Sequence, residues 1–151
     1  MFKKYLYTLF ISMIPVLELR AAIPYGVSSG LPLAAVLAIS IIGNMIPVPF
    51  IILFVRRVFE WMKKKSKFLR GIAEKFENRA EKKKDMIVKY ETLGLFLLVA
   101  IPLPGTGAWT GALVAALFDL RLKRAVPSIF CGVIAAGVIM SVISYGVRAL
   151  I

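Results

Sequence analysis

Residues 21–55, 93–118 and 125–147 contain no charged side chain, giving uncharged stretches of 35, 26 and 23 residues. A bilayer core of about 30 Å is crossed by about 20 apolar helical residues, so each stretch reaches spanning length. Apolar residues make up 60% of the 151-residue chain. Gathered into runs this long, they specify a single all-helical membrane unit rather than a water-soluble core.

The formal charge of +12 would suggest a nucleic-acid partner in a soluble protein. Here it is clustered. Residues 56–92 hold 13 Lys and Arg against 6 Asp and Glu, as expected of a cytoplasmic segment facing anionic lipid. Nucleic acid is therefore not expected as a partner.

The sequence has no histidine, and Cys131, its single cysteine, lies in an apolar run. A zinc site or a Ser-His-Asp triad is not expected, nor is any cofactor or metal. A lone embedded acid without paired carboxylates offers little catalytic chemistry, so the expectation is a non-enzyme. Lys3, Lys4 and the apolar residues 5–17 have the outline of a signal peptide, but Glu18 and Arg20 fall where a cleavage region prefers small neutral residues.

Three parts follow along the chain: a first half at 1–55, a basic insert at 56–92 and a second half at 93–151. Each half opens with an apolar segment interrupted by Pro and Gly, IPVLELRAAIPYG at 14–26 and IPLPGTGAWTG at 101–111. Each also holds one G-x-x-x-G, Gly26 with Gly30 and Gly107 with Gly111. Aligning Pro15 with Pro102 implies an offset of 87 residues, whereas aligning the glycine pairs implies 81. Architecture repeats more clearly than sequence.

Arm length decides how the interruptions are read. Residues 5–17 would make about 20 Å of helix and residues 107–118 about 18 Å, so neither arm spans alone. Pro102 and Pro104 remove helix donors, Gly105 and Gly107 allow positive φ, and a proline-flanked break is expected between Pro15 and Pro24. Such a break is tolerated at membrane depth where protein or water covers its backbone. With the basic insert inside, two hairpins plus two spans also bring Arg121, Lys123 and Arg124 inside, which four full spans do not. The expected fold is two re-entrant helical hairpins plus two transmembrane helices as an inverted repeat. Between the halves, Leu69, Ile72, Ala73, Phe76 and Ala80 recur at three- and four-residue spacing and predict a cytosolic amphipathic helix.

Two clusters could carry chemistry. An ionised group at mid-membrane costs about 2.5–3.5 kcal/mol, so Glu18 and Arg20 should face a polar interior. Residues i and i+2 of a regular helix point apart, and direct pairing of these two would require unwinding. Glu18 is the candidate proton or cation switch, and Arg20 could hold an anionic head group, against a structural ion pair as the plainer role. In the second break, Thr106, Trp109, Thr110 and freed amides could contact a substrate, with Pro24, Pro102, Pro104, Gly105 and Gly107 shaping the backbone around it. The plainer role for Gly107 and Gly111 is close helix packing, and Asn44, in GNMIPVP, reads first as packing, with Pro47 and Pro49 as a kink.

The combination of ELRAAIP, a basic central insert and PLPGTGAWTG resembles the small multidrug export proteins of bacteria and archaea, across nearly the whole chain. That family is similar in layout to the DedA, or VTT-domain, membrane proteins, which pair two re-entrant hairpins and include proton-dependent lipid translocases. The resemblance implies a multi-pass protein of the inner (plasma) membrane that moves an amphipathic molecule or lipid phosphate. Glu18 resembles the embedded acid of the first DedA hairpin, while IPYGVSSG replaces the second acid and the second hairpin lacks an arginine. Two further readings stand beside this one: a dimeric exporter of lipophilic cations, and a non-transporting scaffold for envelope homeostasis. Membrane lipids and a homodimer are the expected partners.

Overall fold

The computed structural model describes residues 1–82, 84–103 and 105–150, which form helices and connecting turns with no strand among them. Pro104 therefore lies outside the described residues, as do the side chains of Leu69, Ala73, Phe76 and Ala80 in the expected amphipathic stripe. The helices are α1 (Phe2–Met13), α2 (Glu18–Ser28), α3 (Leu33–Met45), α4 (Pro47–Lys65), α5 (Lys67–Lys82), α6 (Lys84–Ala100), α7 (Ala108–Leu117) and α8 (Leu122–Leu150). Two apolar helical stretches have spanning length, Leu33–Lys65 and Leu122–Val147.

The first of these joins α3 to α4 through Ile46, which keeps helical dihedrals of φ −54° and ψ −49°. Pro47 supplies no N–H, so the hydrogen-bond ladder lapses there while the helical path continues. Both sequence breaks interrupt helix, at residues 14–17 and 101–107. Pro24, expected to flank the first break, instead sits inside α2. The chain had already turned at 14–17, where Val16 (φ 74°) and Glu18 (φ 47°) take left-handed conformations. Such conformations cost about 1–3 kcal/mol apiece, most at the β-branched Val16.

Contacts fix helix directions within each half. Lys4 Nζ donates to the Ser29 carbonyl at 2.7 Å, so the start of α1 lies beside the end of α2 and the two are antiparallel. A Cβ built on Gly43 would lie 2.7 Å from the Leu9 carbonyl and against the Ser12 hydroxyl, so the ends of α1 and α3 meet as well. α1 therefore runs parallel to α3, with α2 returning between them. In the second half the Ser128 hydroxyl donates to the Thr92 carbonyl, and a Cβ on Gly132 would lie 2.9 Å from the Phe96 carbonyl. α6 and α8 are thus parallel. A Cβ on Gly111 of α7 would come within 2.7 Å of Val99, so small residues hold these helices together by backbone approach.

The two short helices end alike. At α2, Gly30 has φ 80°, Gly30 N–H donates to Val27 and Leu31 N–H donates to Gly26. At α7, Asp119 has φ 50°, Asp119 N–H donates to Ala116 and Leu120 N–H donates to Ala115. Both are Schellman caps. Glu18 and Gly107, Gly30 and Asp119, Leu33 and Leu122, and Gly43 and Gly132 are each 89 residues apart. Leu9 and Phe96, which Gly43 and Gly132 approach, are 87 apart. The proline alignment at 87 therefore holds up to the break, and two extra residues in the second break move the register to 89. The glycine alignment at 81 does not describe the fold.

Candidate functional site

The two breaks meet. Glu18, only 3% exposed, is the first residue of α2, and its carboxylate reaches the N-terminus of α7. Its Oε1 accepts the Trp109 amide N–H at 3.1 Å, and the Ala108 amide lies on the same carboxylate. The first amides of a helix have no intrahelical acceptor, so Glu18 caps α7 from 91 residues away. Gly107, at φ 126°, makes this approach possible. A Cβ there would fall 2.6 Å from the Glu18 carboxyl carbon, and any side chain would evict the carboxylate.

Arg20 reaches the same break by a different route. Its Nη1 donates to the Leu103 carbonyl, and its Nη2 donates to Thr106 Oγ1 at 2.6 Å. The Thr106 hydroxyl also lies 2.7 Å from the Ile101 and Leu103 carbonyls and 3.2 Å from the Leu103 amide, closing the turn on itself. Trp109 Nε1 donates to the Met13 carbonyl at 3.2 Å, which ties α7 to the end of α1. Glu18 and Arg20 form no ion pair with each other. Each side chain crosses instead to its own partners at the second break.

The remaining expected site residues are spread out. Thr110 donates to the Gly105 carbonyl at 3.0 Å, an internal brace. Gly105, at φ 81°, makes the turn, and Pro102 is half-buried within it. Pro24 is exposed and borders a separate apolar groove of about 500 Å³ between α2 and α8, with Val27, Met140 and Ile143. A larger cavity of about 790 Å³ opens between α4 and α7, with Phe50, Phe54, Arg56, Arg57 and Glu60 on one side and Trp109 on the other. Trp109 thus lines that cavity and also holds the Glu18 carboxylate by its amide.

Several residues near the site were not expected there. Asn44 is 1% exposed, and its side chain reaches the Glu18 carboxylate. From the sequence it reads as packing first, with a hydrogen bond across helices open to it. Arg56, assigned to the basic insert, donates to the Leu120 carbonyl and pairs with Asp119 at 3.4 Å, anchoring α4 to the end of α7. Glu91, also assigned to the insert, is buried with Oε1 unpartnered among the described residues. Its place two residues before the uncharged run 93–118 was the only available signal.

A family model described as "Putative small multi-drug export protein" matches residues 18–139, which contain Glu18, the second break, the apolar stretch Leu33–Lys65 and most of Leu122–Val147. No curated protein and no solved structure matches the chain.

Proposed function

This chain belongs to the small multi-drug export protein family, and from that premise we propose that it is a proton-coupled membrane exporter of amphipathic, lipid-like molecules. Glu18 is the coupling group. The observation that carries this reading is the Glu18 carboxylate held at the N-terminus of α7, where both breaks of the chain meet. Protonation removes the charge that the α7 amides and Arg20 attract, and so loosens the contact that joins the two halves. Release of the proton restores it. The cycle thus couples one proton to the relation between the halves.

In this reading α1 with α2, and α6 with α7, are re-entrant hairpins, and the halves form an inverted repeat in the inner membrane. The directions support it. α4 climbs beside α7 from Trp109 to Leu120, and α7 returns along α6, which is parallel to α8. α3 then runs opposite to α8. The shared layout is what likens the chain to the DedA proteins.

The substrate class is read from the cavity beside Trp109. Phe50 and Phe54 offer an apolar wall, with Arg57 and Glu60 as charged groups beside them, while Arg56 is engaged by Asp119 and the Leu120 carbonyl. An apolar wall edged with charged groups suits an amphipathic molecule. The decisive measurement is flux in proteoliposomes under an imposed pH gradient. Glu18→Gln should remove gradient-driven transport, and undiminished transport in that variant would end the coupling assignment. Preference for a lipophilic cation over a lipid phosphate in the same assay would favour the dimeric cation exporter. Absence of any gradient-dependent flux would favour the scaffold.

A further inference from the structure

Side chains at the α1–α3 seam are polar where packing alone needs none. Thr8 and Ser12, one turn apart on α1, are fully buried, as are Ser40 and Asn44, one turn apart on α3. Gly43 brings the two helices together at Ser12, and the parallel register then sets Thr8 level with Ser40. The second half contains its own comparison. The 87-residue offset carries Thr8 and Ser12 onto Leu95 and Val99, and the 89-residue offset carries Ser40 and Asn44 onto Ile129 and Val133. All four of these are buried and apolar. The same glycine-mediated contact is therefore built once from Leu, Val, Ile and Val, and once from Thr, Ser, Ser and Asn.

The polar version is incomplete. The Thr8 and Ser12 hydroxyls donate to the Lys4 carbonyl at 2.9 Å and the Leu9 carbonyl at 2.7 Å, leaving their lone pairs free. Ser40 Oγ has no hydrogen-bond partner in the protein, and the Asn44 side chain is directed at the Glu18 carboxylate. A buried polar group without a hydrogen bond is destabilising, a loss that the aliphatic residues at the matching positions of the second half avoid. Water is the ligand that fits, since it both donates and accepts and is found where buried polar groups converge.

We propose that the α1–α3 seam is a water-filled proton route from Glu18 to the face of the protein where Lys4 meets Ser29. Asn44 forms its inner end beside Glu18, Ser40 and Ser12 its middle, and Thr8 its outer end. Eight residues of α1 separate Ser12 from Lys4, about 12 Å of helix, which a short file of water bridges. The charged and titratable groups along the route are Lys4 and Tyr5 at its mouth and Arg20 beside Glu18. α7 faces Glu18 with backbone amides, and α3 faces it with Asn44. The purpose of the route rests on Glu18 being the coupling group, but its hydration does not.

The test uses single cysteines in a Cys131→Ser background, reconstituted in vesicles and treated with a small water-soluble methanethiosulfonate, which reacts with a hydrated thiolate. Ser12→Cys and Ser40→Cys should be modified at least tenfold faster than Val36→Cys, a buried apolar site one turn away. They should react from the Lys4 side only. Adding Ser12→Val should slow modification of Ser40→Cys and Glu18→Cys by a similar factor. Equal rates at Ser40→Cys and Val36→Cys, or access from the opposite face, would overturn the proposal. Labelling as expected alongside a Glu18→Gln protein that still transports under a pH gradient would leave the wet seam standing and remove the coupling role instead.

Discussion

Gly107 and the Glu18 carboxylate share one space: the backbone at 107 passes so close to the carboxyl carbon that a methyl group would stand 2.6 Å from it. The residue that ends the second break is thereby packed against the acid that follows the first. A side chain cannot be added at 107 without displacing that carboxylate.

Gly107→Ala should therefore be among the most damaging single substitutions in the chain. It combines a φ of 126° with overpacking against a buried carboxylate, each worth about 1–3 kcal/mol. Thermal unfolding in detergent should report a loss of at least about 2 kcal/mol, whereas Gly71→Ala on α5, where a Cβ meets nothing within 4 Å, should be neutral or stabilising.

Arg20→Lys should behave as a loss rather than a conservative exchange. The guanidinium spans two acceptors, the Leu103 carbonyl and Thr106 Oγ1, which one ammonium cannot match in the same geometry. A destabilisation of about 1–3 kcal/mol is expected for the charged hydrogen bond. In a double-mutant cycle with Thr106→Val the two effects should be non-additive, and simple additivity would show that Arg20 does not act through Thr106.

Trp109→Phe keeps most of the ring and removes the donor to the Met13 carbonyl. Stability should fall by about 1 kcal/mol, with a buried carbonyl left unsatisfied. In a Trp61→Phe background, Trp109 fluorescence should shift on Glu18→Gln, because the Trp109 amide is the carboxylate's donor. An unchanged spectrum would argue that the two are not in contact.

Asp119→Gly should leave stability unchanged or raise it by up to about 1 kcal/mol. The residue sits at φ 50°, which glycine adopts freely, and its ion pair with Arg56 involves a side chain 83% exposed, where such pairs contribute little. Asp119→Val should be clearly destabilising. The ordering Gly, Asp, Val in melting temperature checks the Schellman cap.

Much of the fold follows from local chemistry. Uncharged runs of 35, 26 and 23 residues specify apolar helices, and the all-helical architecture with two long apolar helices is the outcome. Pro102, Gly105 and Gly107 mark a break because proline removes a donor and glycine accepts positive φ, both properties of single residues. Glu18 and Arg20 were conspicuous because charge in an apolar block needs a polar partner. Pro24 misled for the complementary reason: proline is tolerated where neighbouring helices restore what the ladder loses.

What the sequence could not contain is the identity of the partners. Glu18 meets the Trp109 amide and Arg20 meets the Leu103 carbonyl, and backbone groups carry no sequence signature. Asn44, Ser40, Ser12 and Thr8 look like ordinary small helix-packing residues until parallel α1 and α3 press them together, turning Asn44 on Glu18 and leaving Ser40 Oγ without a partner. Periodicity and composition act within a helix, over a few residues. The junction depends on which helices run side by side and in which direction, and contacts between residues about 90 positions apart are set only when the whole chain has packed.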